Sequence, residues 1–380
     1  MAKTVIILGA GWAGLPLAHK LLKYTVPKVP DLKVVLVSPN SHFFWNVAAT
    51  RGIIPGEIPD EELCIPIAPA FAQYAADKFE FVLGAADSVN TDESTVSVKL
   101  QEGGDRRFTF DQLVVATGSR LVGDLPLKLT GSYEAHLATW HGLQKKVADA
   151  RSIVISGGGP TAVEVAGELA AKYGRAKEIK IVTSGDELMM SAMPSVRRTV
   201  SQDLRKLGVE VIYKSSVASV AADKHTRETS ITMADGSVIK TDVHLPFHGV
   251  TVNTSFLPAS LLDERSNLRL DKTMRAAGTK NIWGIGDVGD TEPKQLTVTD
   301  NQIIHVAEAL RACLTGGQVK EYVPMSKQMI FASLGRNHGT GQIGNWRLWG
   351  FMVNYVKGRR LFVDTAQGYV GGKHLRHAAM

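Results

Sequence analysis

Cysteine is nearly absent: only Cys64 and Cys313 occur in 380 residues. Two thiols so far apart build neither a disulfide framework nor a cysteine-based metal cluster, and no metal site is expected. Long hydrophobic runs are missing too, since no apolar stretch approaches the ~20 residues of a membrane-spanning helix. The run from Val5 to Ala18 looks like a signal-peptide core, but its glycines have another use. Proline is sparse, at 15, and aromatics make up 7%, yet 44% hydrophobic and 21% charged residues describe a globular chain. Disordered and fibrous classes are excluded, and the length predicts two or three domains. Most of the chain also lacks an excess of either charge. Residues 1–320 are balanced, and the net charge of +6 resides in 321–380, with eight Lys/Arg against Glu321 and Asp364. Such a basic segment suits nucleic acid, anionic lipid or acidic partners, or is simply a solvated face.

Glycine, by contrast, is plentiful and placed. The β-branched run Lys3–Leu8 leads into Gly9-Ala-Gly11-Trp-Ala13-Gly14 and then into helical apolar spacing through Leu22. Strand, glycine-rich turn and helix together make a dinucleotide-binding fingerprint. Gly9 permits the tight turn, Gly11 lets the backbone approach a pyrophosphate, and Gly14 lets the helix pack closely on the strand. The next strand, Leu32–Val37, should end in an acid that holds the adenosine ribose. Ser38 and Asn40 stand there instead, leaving a neutral partner from either.

A second fingerprint follows the strand Arg151–Ser156: Gly157-Gly-Gly159-Pro160-Thr161-Ala162, with Glu164 two positions on. Two fingerprints imply two nucleotides, one per crevice. Between them a strand closes in Ala116-Thr117-Gly118, and later Asn281–Ile285 runs into Gly286-Asp287. This order resembles the flavoproteins with two dinucleotide-binding domains, in which the first crevice holds FAD and the second NADH or NADPH. Further stretches resemble the apoptosis-inducing-factor-like oxidoreductases, in their short ferroptosis-suppressor branch: Phe43-Phe-Trp-Asn46 through Arg51, Gly157 through Glu164, Pro293-Lys294, and Ser333 through Gln342.

The resemblance implies an α/β fold of two Rossmann-like domains with a small α+β domain at the end. The FAD domain spans 1–118 and 249–320, the inserted NAD(P)H domain 119–248, and the basic or interface domain 321–380. It also implies that Asn46 and Arg51 contact the flavin nucleotide and that Asp287 contacts its ribityl and phosphate region. Glu164 would lie near the nicotinamide. Lys294, just before a helix start, would favour the reduced, negatively charged flavin; the rival reading is a solvated loop lysine.

Disulfide reductases on this scaffold need a cysteine pair beside the flavin. Here that pair is missing, both cysteines are expected as small buried apolar residues, and electrons are expected to pass directly to a quinone-type acceptor. A flavoenzyme acting on one biosynthetic metabolite, and an NAD(P)H-sensing protein that binds nucleic acid, are the alternatives. No recognition helix or RNA-binding motif supports nucleic acid. The strand Glu178–Thr183 ends in Ser184-Gly-Asp186-Glu187, which leaves the choice of NADH or NADPH open. Pro246-Phe-His248-Gly249 departs from the family's Thr-Gly ending, and His248 is expected to be packed or solvated.

Gly344 to Arg360 interleaves Trp346, Trp349, Phe351 and Tyr355 with Arg347, Lys357, Arg359 and Arg360. It suits either a packed subdomain or subunit interface, or a membrane-interface segment. Met1-Ala2 offers no glycine for N-myristoylation, and the terminal Ala-Ala-Met has no preceding cysteine for prenylation. The expectation is a cytoplasmic protein whose contact with any membrane or lipid surface is peripheral.

Overall fold

The computed structural model describes residues 3–223 and 228–373. The first apolar run forms the strand Lys3–Leu8, in which Val5, Ile6 and Ile7 are fully buried. Burial on both faces follows from its central place in a seven-stranded sheet. Leu32–Ser38 pairs with it in parallel on one side and Gln112–Val115 on the other. Ile282–Gly284 extends the sheet beyond Gln112–Val115, and the long strand Phe79–Asn90 extends it beyond Leu32–Ser38. The latter then turns back through Thr95–Leu100 and Asp105–Thr109 as an antiparallel meander.

At Gly9 the chain turns with φ +103°, and a Cβ there would sit 2.4 Å from the Ala116 carbonyl oxygen. Only glycine satisfies both conditions. The helix Gly14–Lys20 starts directly above this point.

A second sheet holds Glu210–Ile212, Glu178–Val182, Ser152–Ser156 and Val243–Pro246, all parallel. Its fingerprint helix, Pro160–Tyr173, begins with proline at the first helical position, where a missing N–H costs nothing. The chain leaves the first sheet through Ser119–Leu121 and returns through Val250–Val252, and these two strands pair antiparallel. A small antiparallel sheet (Val217–Ala222, Thr229–Met233, Val238–Thr241) lies within the same excursion.

After the helix Leu296–Thr315, the basic segment folds into an antiparallel sheet of Met329–Leu334, His338–Ile343 and Trp346–Leu348. Short helical turns over Gly350–Val353 and Asn354–Gly358 follow, then the helix Val363–Val370. This piece packs on Pro160–Tyr173 so tightly that a Cβ at Gly167 would come 2.7 Å from the Leu334 Cα. It also reaches the first domain, where the Trp45 indole donates to the Leu361 carbonyl at 2.9 Å. Expectations for Met1-Ala2 and for the end of 321–380, Arg376 included, lie outside the described residues.

Candidate functional site

Where the strands Lys3–Leu8, Leu32–Ser38, Gln112–Val115 and Ile282–Gly284 end side by side, the structure opens a cavity of about 350 Å³. This is the carboxyl edge of a parallel sheet, the expected place for a nucleotide. Gly9, Gly11 and Ala13 of the first fingerprint line it, with Ser38, Asn46, Ala116, Thr117, Gly118, Gly286, Asp287 and Lys294. Gly14 lies beneath it as packing: a Cβ there would meet the Gly9 carbonyl oxygen at 1.8 Å. A Cβ at Gly11 would meet nothing within 4 Å, so its backbone faces open space beside the helix start.

Several wall residues are fixed by bonds that the sequence did not advertise. The Trp12 indole donates to Asn46 Oδ1 at 2.7 Å. Thr117 and Asn253 exchange bonds, Thr117 Oγ1 donating to the Asn253 carbonyl at 2.6 Å and Asn253 Nδ2 to the Thr117 carbonyl at 3.0 Å. Ser38 Oγ donates to the Asn40 carbonyl and accepts from the Asn40 N–H, closing the tip of the second strand into a small turn.

Asp287 is the electrostatic centre. Its carboxylate accepts from Lys128 Nζ at 2.5 Å and from Ser119 Oγ at 2.6 Å. Burial alone would raise its pKa, but the charge of Lys128, aided by Ser119 and Lys294, holds it below the ordinary carboxylate value. Lys294 lines the same cavity, with Nζ anchored by the carbonyls of Asp287 (2.5 Å) and Gly289 (3.0 Å) and by Asn267 Oδ1 (2.9 Å). Burial lowers its pKa, with Asp287 opposing. It is an exposed loop lysine whose ammonium is tethered by these three acceptors. Lys128 and Ser119 were missed in the sequence; Ser119 directly follows the Ala-Thr-Gly turn, the one local signal that pointed to it.

Gly157 repeats the geometry of Gly9, with φ +126° and a Cβ position 2.4 Å from the Phe247 carbonyl oxygen. Gly159 is open above, and Pro160 and Thr161 are exposed at the helix start, while Ala162 is buried against the core. Glu164 is buried and takes up Lys357 Nζ at 2.5 Å and the Ser333 N–H at 3.0 Å. Lys357 belongs to the C-terminal piece, and sequence reasoning had read it only as part of a basic cluster.

Arg51 is not among the residues that line the cavity; it is buried against Glu168, one turn beyond Glu164, in a bidentate pair with Nε–Oε2 2.8 Å and Nη2–Oε1 2.9 Å. Nη2 also donates to the Gly358 carbonyl and Nη1 to the Arg359 carbonyl. Four of the five N–H donors of this guanidinium are thus engaged inside the protein. Burial raises the Glu168 carboxyl, and Arg51 restrains that rise.

The cysteines also differ from one another. Cys64 is buried, and burial pushes its thiol up to about 12. Cys313 is only half-buried and accepts from Arg275 Nη2 at 3.1 Å. Neither lines the cavity. His248 is exposed, its ring 6.3 Å from that of His244. Among the described residues, no group of three or more His, Cys, Asp or Glu is placed to hold a metal ion. Among the same residues, no helix is long and apolar enough to cross a membrane.

Two parallel sheets, each with a glycine fingerprint opening a helix at its carboxyl edge, define a protein with two dinucleotide-binding units. The model of the pyridine nucleotide-disulphide oxidoreductase family matches residues 3–306, and the chain belongs to that family. It is 37% identical over 377 residues to the oxidoreductase ptaL of Pestalotiopsis fici, covering 98% of this chain and 100% of that one. Ferroptosis suppressor protein 1 of Xenopus laevis is 27% identical over 380 residues, with 97% and 96% covered. The solved sulfide:quinone oxidoreductase of Aquifex aeolicus shares the fold with TM-score 0.76 at 20% identity, over 98% of this chain and 92% of that one. The chain is accordingly a flavoprotein oxidoreductase of the apoptosis-inducing-factor-like kind, whose cofactors are FAD and NAD(P)H. The open backbone at Gly11, the adjacent helix start and the Asp287 cluster fit the flavin nucleotide.

Proposed function

We propose that the chain moves reducing equivalents from NAD(P)H, through its flavin, to a small quinone-type acceptor. When bound, FAD supplies the chemistry, taking a hydride from the nicotinamide and returning two electrons to the acceptor, with protons completing the quinol. The protein's part is placement and charge. Gly11 and the helix start cradle the pyrophosphate, Asp287 accepts from hydroxyl groups of the ribityl chain, and Asn46 and Ser38 complete the wall. Lys294 supplies a fixed positive charge beside the site, which favours the electron-rich state of whatever ring it faces. Glu164, bonded to Lys357, is the group we assign beside the nicotinamide. The Lys357 ammonium neutralises the buried Glu164 carboxylate and fixes its position.

One observation carries the direct electron path: neither cysteine lines the cavity, and Cys64, the buried one, has its thiol pushed up to about 12. No thiolate relay is built beside the flavin position, so the acceptor must meet the flavin itself.

The test is spectroscopic. Purified protein should show flavin absorbance that bleaches anaerobically with NADH or NADPH and returns on adding a benzoquinone or naphthoquinone. Bleaching without quinone-driven recovery would overturn the acceptor assignment while leaving the family intact, and would favour action on one small metabolite instead.

A further inference from the structure

The short helical stretch Gly350–Gly358 is turned inside out. Surface helices ordinarily bury their apolar side and expose their polar side. Here Val353 and Gly358 are buried and Lys357 points inward to Glu164, while Phe351, Met352, Tyr355 and Val356 face outward. Phe351 is 66% exposed and Tyr355 72%. The preceding strand adds Trp346 at 81%, and the residue between strand and helix, Trp349, is 66% exposed, its ring 5.7 Å from that of Phe351. Scattered exposed apolar residues need no explanation, but six within eleven positions do.

We infer that this aromatic face is a docking surface for an anionic lipid bilayer, laid flat against the headgroups. Two features select lipid over other occupants. First, the side chains are those that settle at headgroup depth, Trp and Tyr with Arg beside them: Arg347 lies between the two tryptophans, and the Arg359 guanidinium sits 5.4 Å from the Tyr355 ring. Second, there is no Asp or Glu anywhere from 322 to 363. A symmetric dimer through this face would set Arg347 and Arg359 against those of the second copy, and the carboxylates that share a pocket with Arg359, Glu57 and Glu62, already pair with Arg336 and Arg360. Anionic phosphates supply that missing charge.

The placement also deepens the functional reading on which this part rests. Lys357 and the aromatic face belong to the same short element, so a docked protein holds its Glu164–Lys357 pair next to the bilayer surface. An acceptor dissolved in lipid then reaches the site without crossing water.

Vesicle sedimentation tests the docking without any turnover. Wild type should pellet with phosphatidylcholine vesicles that contain phosphatidylglycerol, much less with phosphatidylcholine alone, and should be released by salt. The double variant Trp349→Ser/Phe351→Ser should lower the bound fraction at least about tenfold, since two exposed rings no longer leave water on insertion. Arg347→Glu should weaken binding to the anionic vesicles alone. Retained flavin absorbance and unchanged turnover with a water-soluble benzoquinone certify that these variants are folded. Wild type remaining in the supernatant at low salt overturns the docking. So does a wild-type dimer in analytical ultracentrifugation that the double variant converts to monomer, because the face would then join two copies. If vesicles bind but no quinone is turned over, the acceptor reading fails and the lipid surface stands.

Discussion

Arg51 and Lys357 are the two cations whose partners decide most. Arg51 is fully buried with Glu168, and removing one member of such a pair leaves an uncompensated charge inside the protein. Arg51→Ala should therefore cost about 3–5 kcal/mol, read as a fall in the urea midpoint. Arg51→Met combined with Glu168→Leu should recover most of it, since apolar packing replaces a buried pair at little cost. Glu164→Gln, whose amide oxygen can still accept from the Ser333 N–H, should slow turnover more than it costs stability, whereas Lys357→Met leaves the buried Glu164 carboxylate unpaired and should cost both. The expected result is at least tenfold slower bleaching of the flavin by NADH, with the flavin still bound; equal rates would remove both residues from the catalytic step. None of these pairings could be seen in the sequence. Arg51 and Glu168 lie 117 positions apart, Lys128 and Asp287 159, and Lys357 and Glu164 193. A lone charged residue carries no mark of its partner.

At the scale of elements, the helix Pro160–Tyr173 connects the whole. Glu164 and Glu168, one turn apart, tie it to the C-terminal piece and to the first domain, and Gly167 on the same side lets the strand Met329–Leu334 approach. Gly167→Val should force that strand away, because the added carbons meet the Leu334 Cα as well as its side chain, so a rotamer change alone gives no relief. We expect faster proteolysis confined to residues 321–373, with flavin retained, by limited trypsin digestion and mass spectrometry. Elements were the legible level of this sequence. Both fingerprints and the strands before them lie within a few residues of one another, and local spacing of glycine against β-branched runs is what strand–turn–helix geometry requires. Whether the segment from Trp346 to Val356 packs or faces outward was not legible. Its apolar content suits either, and the orientation is set by distant partners: Glu164 for Lys357 and Arg51 for the Gly358 and Arg359 carbonyls.

For the whole molecule, pH dependence follows from buried histidines. His19 and His136 are fully buried, and burial pushes each imidazole down to about 4; for His19 a bond with the Val370 carbonyl partly opposes this and the Lys23 charge adds to it. Both stay neutral in the folded protein, whereas the unfolded chain takes up protons near pH 6.5. The unfolded state thus binds more protons between those values, and stability is lost as pH falls from about 6.5 toward 4. The slope is roughly 1.4 kcal/mol per pH unit for each histidine. Urea midpoints at neutral pH and at pH 5 check the sign, and His136→Phe should flatten the dependence.

The antiparallel pairing of Ser119–Leu121 with Val250–Val252 has a consequence for how such proteins diversify. Because the exit and the re-entry of the chain lie side by side, everything between them is attached at a single doorway. A unit of foreign sequence with the same narrow stance could be spliced there without stretching the flavin-binding sheet. The contacts it would have to reproduce include an acid for Arg51, an acid for Lys357, a gap where Gly167 stands, and the Ser119 and Lys128 donors that hold Asp287. A graft at this doorway is therefore expected to keep flavin absorbance only if it carries those contacts as well as the two joining strands.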